Sequence, residues 1–354
     1  MRKILILVVS IPTTFLIGIF IILILIFFCR RTTTRTETNE SQYNVEAPES
    51  KQECSDSEET EEEELVIFHG GEDLTICDIL EAPGEVIGKS SYGTLYKASL
   101  QRSGKVRVLR FLRPLCAAVV RSDSKELNDV IESLGFVKHD NLVPLLGFYV
   151  GNRGEKLMIH PFFGSGNLSQ FIKFLAGGDV ESNKWSNILS ITIGIAKGLD
   201  HLHTGMQKPI IHGNLKSKNV LLDSSFKPRV SDFGLHLLLN LPAAQKILEA
   251  SALEGYKAPE LIKMKEVSKE SDVYSFGVIM LELVSGRELI SKNIAAGSVL
   301  DHNKLLDLCR PDILGVTEEC VVEYIQLAMS CSSPSPSLRP SFKQVLRKLE
   351  EVKK

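Results

Sequence analysis

Gly88-Lys89-Ser90-Ser91-Tyr92-Gly93 sets two glycines around a short polar turn, where backbone N–H groups can approach a phosphate without a Cβ in the way. Taken alone, such a turn is by default a structural hairpin. Further on, His212-Gly213-Asn214-Leu215-Lys216-Ser217-Lys218-Asn219 gathers amides and lysines in one stretch, and Asp232-Phe233-Gly234 places a carboxylate before a glycine. Those residue types suit the handling of phosphate. The other polar candidates carry less. His201 and His203 fall on an apolar helical stretch and His236 stands by itself, which fits packing better than metal binding. Seven cysteines without a CxxC pair or a closely spaced framework indicate neither a zinc site nor a disulfide scaffold and fit a reducing compartment.

These groups need elements to hold them. After Leu65, short β-branched runs such as Val86-Ile87 and Val106 to Leu109 are separated by glycines, and longer helical stretches follow. Ile188 to His203, Asp272 to Ser285 and Cys320 to Met329 have apolar residues at helical spacing. The order predicts an α+β architecture, a small antiparallel β lobe followed by a larger helical lobe. Upstream, residues 4–28 form an uncharged apolar run of 25 residues, long enough for one transmembrane helix. Cys29-Arg30-Arg31 stands where a signal peptide would carry a small-residue cleavage site. Residues 30–64 read as an acidic, disordered juxtamembrane tether, with twelve acidic and two basic side chains over 32–64. A net charge of −3 gives no pull toward nucleic acid, and none is expected as a partner.

Four landmarks follow the glycine turn in a fixed order: the His212 to Asn219 stretch, Asp232-Phe233-Gly234, Ala258-Pro259-Glu260, and Arg339 near the end. With them come His139-Asp140-Asn141-Leu142-Val143-Pro144-Leu145, Gly255-Tyr256-Lys257-Ala258-Pro259-Glu260 and Ser271-Asp272-Val273-Tyr274-Ser275-Phe276-Gly277-Val278. From about Thr75 to Val352 the chain resembles the plant receptor-like kinase family, in particular leucine-rich-repeat receptor kinases and their transmembrane kinase-like members without the repeats. The resemblance implies a two-lobed protein-kinase-like domain over 75–354, with an N-lobe at 75–160, a hinge at 161–163 and a C-lobe at 164–354. It also implies a plasma-membrane protein with that domain in the cytosol.

Set against the family's pattern, the transfer machinery is degenerate. Counting from Gly93 puts Leu109 where the family has its phosphate-holding lysine, and strand alternation then turns Arg107 into the adenine pocket. There Arg107 either obstructs adenine or partly replaces the lost charge, and Arg110 faces away unless the register slips by one. Counting back from His139 puts Val130 in place of the helix glutamate that would pair with the lysine. Asn214 replaces the aspartate that takes the acceptor's proton, and a neutral amide is no useful base. Gly213 replaces an arginine, and Ser90 the middle glycine.

What survives in the pattern is Gly88 and Gly93, the hinge residues Pro161 and Phe163 behind His160, and Asn219 with Asp232, which match the family's magnesium ligands. Asn219 and Asp232 equally suit a structural role in the loop. Glu260, Asp272 and Arg339 are implied to be architectural: an ion pair within the helical lobe and a brace behind the catalytic loop. The resulting expectation is a membrane-tethered pseudokinase that signals by binding other proteins, such as active receptor-like kinases, with weak or no binding of ATP and magnesium. A slow Ser/Thr kinase using Asn219 and Asp232 for metal, with Arg107 or Arg110 for the lysine, is the enzymatic alternative. An adaptor working through its acidic tether is a third.

Overall fold

A computed structural model describes residues 63–117, 125–175, 185–264, 266–287, 313 and 316–352. The apolar run at 4–28 and residues 30–62 of the acidic segment lie outside the described residues. Among the described residues, no helix is long and apolar enough to cross a membrane.

The first lobe is a six-stranded antiparallel sheet in the order β1-β5-β6-β4-β3-β2. Its strands are β1 (Glu64–Ile67), β2 (Gly84–Lys89), β3 (Gly93–Ser99), β4 (Val106–Leu112), β5 (Gly147–Val150) and β6 (Lys156–Pro161). Glu64, expected at the end of the tether, is already in β1 opposite Val150, so the sheet begins before Thr75. Helix α1 (Ile76–Glu81) follows, capped by Thr75, whose hydroxyl accepts from the Asp78 N–H at 3.2 Å. Leu74 and Ile79 of this region bury Leu109, Leu146 and Ile159 on one face of the sheet. The sheet is therefore covered on both faces, and β4 carries buried residues at consecutive positions 109 and 110 instead of a clean alternation.

Helix α2 (Lys125–Gly135) lies against the other face, with Leu127, Ile131 and Leu134 buried in the principal core. The helical lobe comprises α3 (Leu168–Leu175), α4 (Trp185–Thr204), α5 (Leu241–Leu253), α6 (Lys269–Ser285), α7 (Glu318–Cys331) and α8 (Phe342–Val352). A small hairpin, β7 (Val220–Leu222) with β8 (Pro228–Val230), completes it. Each of the three helical stretches read from the sequence lies inside a longer helix, because polar capping turns carry no apolar period. Ser268 and Ser271 form a capping box that starts α6, and Gly286 at φ +65° ends it. Buried from Ser271 to Ser285, α6 is the axis around which the lobe packs.

Candidate functional site

The cleft between the lobes is walled by β2, β3 and β4 above and by the Asn214–Asn219 loop, β7 and Asp232 below. The β2–β3 turn is tight. Ser90 sends its amide to the Gly93 carbonyl at 2.9 Å, and its hydroxyl bonds both the Gly93 N–H and carbonyl at 3.1 Å. The side chain that replaces glycine thus folds back onto its own hairpin. Gly93 has no room for a Cβ, which would lie 2.5 Å from the Phe111 carbonyl. Gly88 pairs with Leu95 just past a β-bulge.

Strand β4 sits one residue out of the register read from the sequence. Leu95 lies opposite Arg110 and Lys97 opposite Val108, whereas Tyr96 and Ala98 lie opposite Leu109 and Arg107. Residues directly opposite share a face. Leu95, Val108 and Arg110 line the cleft. Leu109 packs with Leu74, Ala98 and Ile159 on the outer side, where Arg107 meets Asp73 at 3.1 Å. Arg107 therefore neither obstructs an adenine pocket nor reaches a phosphate. Arg110, not Leu109, occupies the lysine position, and Val108 the small-residue position beside it. A count across the β3–β4 loop fixes position only to within a residue, and one residue inverts the face.

Arg110 is spoken for. Its guanidinium bonds Asp232 Oδ1, and a second nitrogen reaches the Tyr92 hydroxyl at 3.4 Å. Tyr92 comes from the glycine turn and also lies beside the guanidinium, 5.9 Å from ring centre to Cζ. Burial opposes charge on Arg110, but Asp232 and Tyr92 outweigh it and raise its pKa. Burial and the Asp232 carboxylate together raise that of Tyr92. Val130 is partly buried against the principal core, and no helix carboxylate is among the partners of Arg110. Asp232 itself adopts φ +64°, a left-handed conformation that Asp tolerates better than most residues.

The lower wall is equally self-engaged. Asn214 is 6% exposed and its Oδ1 has no hydrogen-bond partner. Asn219 donates from Nδ2 to the Asn214 carbonyl at 2.9 Å, and its own carbonyl accepts from Ser231 N–H at 2.8 Å. Lys216 and Lys218 each reach one oxygen of Glu254 at 2.8 Å, which keeps that carboxyl deprotonated against the opposing effect of burial. Gly213 stands at φ +74°, and a Cβ there would lie 2.6 Å from His236 Nδ1. The imidazole of His236 thus fills the space beside the position that lost its arginine. Behind the loop, Asp272 accepts from His212 N–H at 2.7 Å, Gly213 N–H at 2.9 Å and His203 Nε2 at 2.9 Å. Burial would raise the Asp272 pKa, but His203, His212 and these donors hold it below the usual carboxylate range. Farther off, Arg339 bonds both oxygens of Glu260, at 2.6 and 2.7 Å.

At the hinge, His160 donates from Nδ1–H to the Pro144 carbonyl at 2.9 Å, and burial pushes its pKa down to about 4. Pro161 and Phe163 line a cavity of about 230 Å³ together with Ile87, Leu95, Val108 and Leu221, with Asn219 and Asp232 at its polar end. A magnesium nucleotide does not fit these residues as they stand. The carboxylate that would hold the metal is bonded to Arg110, and the cation that would hold phosphate is bonded to that carboxylate. Sequence reading assigned no role to Tyr92, Val108 or Glu254 and held Arg110 only as an alternative. Arg110 was legible as the alternative register, while Glu254 left no signal because its partners come from a distant loop.

Comparison with known proteins adds to this geometry. The protein tyrosine and serine/threonine kinase family matches residues 82–349. The Arabidopsis thaliana putative kinase-like protein TMKL1 is 38% identical over 90% of this chain and 48% of its own length. A probable leucine-rich repeat receptor-like protein kinase of the same plant, IMK3, is 36% identical over 82% of this chain and 37% of its own. The chain thus spans about half or less of the length of these curated relatives, others of which are named probable inactive receptor kinases. Among solved structures, the maize SIRK1 kinase domain bound to AMP-PNP superposes with a TM-score of 0.72 at 29% identity, covering 82% of this chain and all of that one. The pseudokinase domain of BIR2, an immune regulator, gives 0.61 at 28% identity, covering 76% of this chain and 80% of that one. With the two-lobed fold, the family match and these relatives in agreement, the chain belongs to the protein tyrosine and serine/threonine kinase family, alongside plant receptor-like kinases.

Proposed function

We propose that this chain is a receptor-like pseudokinase that signals by binding other proteins, receptor-like kinases foremost, while carrying out no phosphoryl transfer. One observation carries the reading: Arg110 and Asp232, the cation and the carboxylate that a transferring site would direct at phosphate and metal, are bonded to each other. The amide at Asn214 leaves no base beside them. Relatives named inactive receptor kinases and the likeness to the BIR2 pseudokinase support it. In this reading residues 4–28 anchor the chain in the plasma membrane as a single span, and the acidic segment spaces the domain from the cytosolic leaflet. Incubated with labelled ATP and magnesium, the purified chain is expected to transfer no phosphate to itself or to a generic protein substrate. Transfer that Asn214→Ala abolishes would sink the proposal.

A second reading, a slow Ser/Thr kinase, draws on one feature: the register puts a permanent cation, Arg110, in the lysine position. It requires the Arg110–Asp232 pair to open for every nucleotide bound. The same assay decides between the two.

A further inference from the structure

The outer face of α2 forms one wall of a second groove. The inner face of the helix buries Leu127, Ile131 and Leu134. Asp129, Glu132, Ser133 and Phe136, at i, i+3, i+4 and i+7, therefore share the opposite face and line the groove together. The other wall is the turn after α4, Gly205 to Lys208, and the space between measures about 540 Å³. It has no lining residue in common with the cleft. We propose that this groove is a docking site for a protein partner, which enters it with a basic segment carrying a bulky apolar side chain.

Phe136 and Met206 supply the apolar contact. Phe136 is 68% exposed and is held outward by its neighbours Gly135 and Val137, which are both buried. Gly135 is wedged so closely that a Cβ would lie 2.1 Å from the Phe68 ring, and the Phe136 N–H continues the helix to the Glu132 carbonyl at 2.9 Å. The facing turn is equally fixed. Gly205 N–H bonds the His201 carbonyl at 2.8 Å, Ile210 N–H bonds the Leu202 carbonyl at 2.9 Å, and Met206 packs against the principal core. Walls already in place cost a ligand little ordering, and the space accepts a large side chain. Charge decides what must flank that side chain. Asp129 and Glu132 line the groove, and Glu126 continues the row one turn back. Lys208, the one cation on the two walls, stands 4.0 Å from Asp129 with both side chains well exposed, a pair that contributes little. Glu126 and Glu132 have no ion-pair partner among the described residues. An acidic segment would be repelled here, whereas Lys or Arg beside the apolar anchor would match the row. The groove deepens the reading of the chain as a protein-binding pseudokinase and rests on it for the kind of ligand.

The test is fluorescence anisotropy on the full chain in phosphatidylcholine nanodiscs, with a labelled helical peptide of leucines and lysines at amphipathic spacing as the probe. The probe is expected to bind, and counterparts with Glu for Lys or Ser for Leu should bind at least about tenfold more weakly. Glu132→Lys and Phe136→Ser should each weaken the probe about tenfold. Both positions are exposed, so both variants should melt with the wild type. Glu61→Lys with Glu62→Lys, placed in the acidic segment, should leave the affinity unchanged. No binding up to millimolar probe, or affinity unmoved by the two groove variants, overturns the proposal. So does a loss from the acidic-segment variant as large as theirs, which would place the peptide on that segment. The phosphotransfer assay keeps the two readings apart. A chain that transferred phosphate would refute the pseudokinase and leave the groove standing, and a chain without transfer that ignored the probe would do the reverse.

Discussion

Arg110 and Asp232 meet where side-chain exposure is only 7% and 13%, so their attraction is little screened by water and each is costly without the other. Arg110→Met alone should lower stability by roughly 3–5 kcal/mol, because it leaves a buried carboxylate uncompensated. Adding Asp232→Asn should recover more than half of that loss, since the amide tolerates the left-handed backbone and carries no charge. Urea unfolding of both single variants and the double variant measures the coupling; strict additivity would mean that the pair does not act as a unit. His160 makes a second prediction. Its folded pKa of about 4 lies below the ordinary value of 6.5, so between those limits the unfolded chain binds a proton that the folded chain refuses. The contribution is complete above pH 6.5 and is lost as pH falls toward 4, up to about 3 kcal/mol. His212 and His236, shifted the same way by burial, add to the slope. Compared by urea unfolding at neutral and mildly acidic pH, His160→Leu should lose less stability on acidification than the wild type. Equal losses would show that His160 does not titrate in that window.

Single elements decide what those side chains can do. Strand β4 offers two faces, and the satellite core under α1 buries Leu109 as deeply as the cleft buries Arg110, at 5% and 6% exposure. Hydrophobic alternation therefore could not pick the face, and the loop count between β3 and β4 was left to choose. The landmarks legible in the residues themselves are those whose chemistry is local, a turn, a cap or a fixed spacing within one loop, whereas the Glu260–Arg339 pair, 79 positions apart, was legible only through the family resemblance. Arg110–Asp232 spans 122 positions and Lys216–Glu254 spans 38, and nothing in either local stretch announces such a pair. The loop around Gly213 yields an element-scale prediction. At φ +74°, with His236 Nδ1 only 2.6 Å from where a Cβ would lie, the backbone strongly favours glycine. Gly213→Ala should cost about 1–3 kcal/mol from the left-handed backbone. Gly213→Ala in a His236→Ala background should cost less, because the clash goes and only the backbone penalty stays. Thermal unfolding of the three variants reads the difference, and identical costs in both backgrounds would remove His236 from the account.

At the scale of the whole molecule, the groups that hold the fold and the groups that would run a reaction have separated. Asp272, 1% exposed, receives three donors and ties α6 to the Asn214 loop and to α4; Arg339 ties Glu260 to the backbone of Glu270 and Ser333. Neither arrangement touches phosphate, and both are present where the cleft is self-occupied. A domain whose use is to present a surface to a protein partner needs only the first set of groups. Asp272→Ala should therefore be severe, since it orphans two buried N–H groups and a buried imidazole, with a loss of roughly 3–5 kcal/mol and a fall in Tm on the order of 10 °C. Asn214→Ala should be neutral or slightly stabilising, because Asn214 Oδ1 is buried with no partner and its removal gives up no hydrogen bond. Calorimetric unfolding of the two variants, with partner binding measured in parallel, separates the roles. Scaffold function predicts that binding follows the melting temperature, lost with Asp272 and kept with Asn214. Binding that vanished in a fully folded Asn214→Ala variant would return the catalytic loop to the centre of the function.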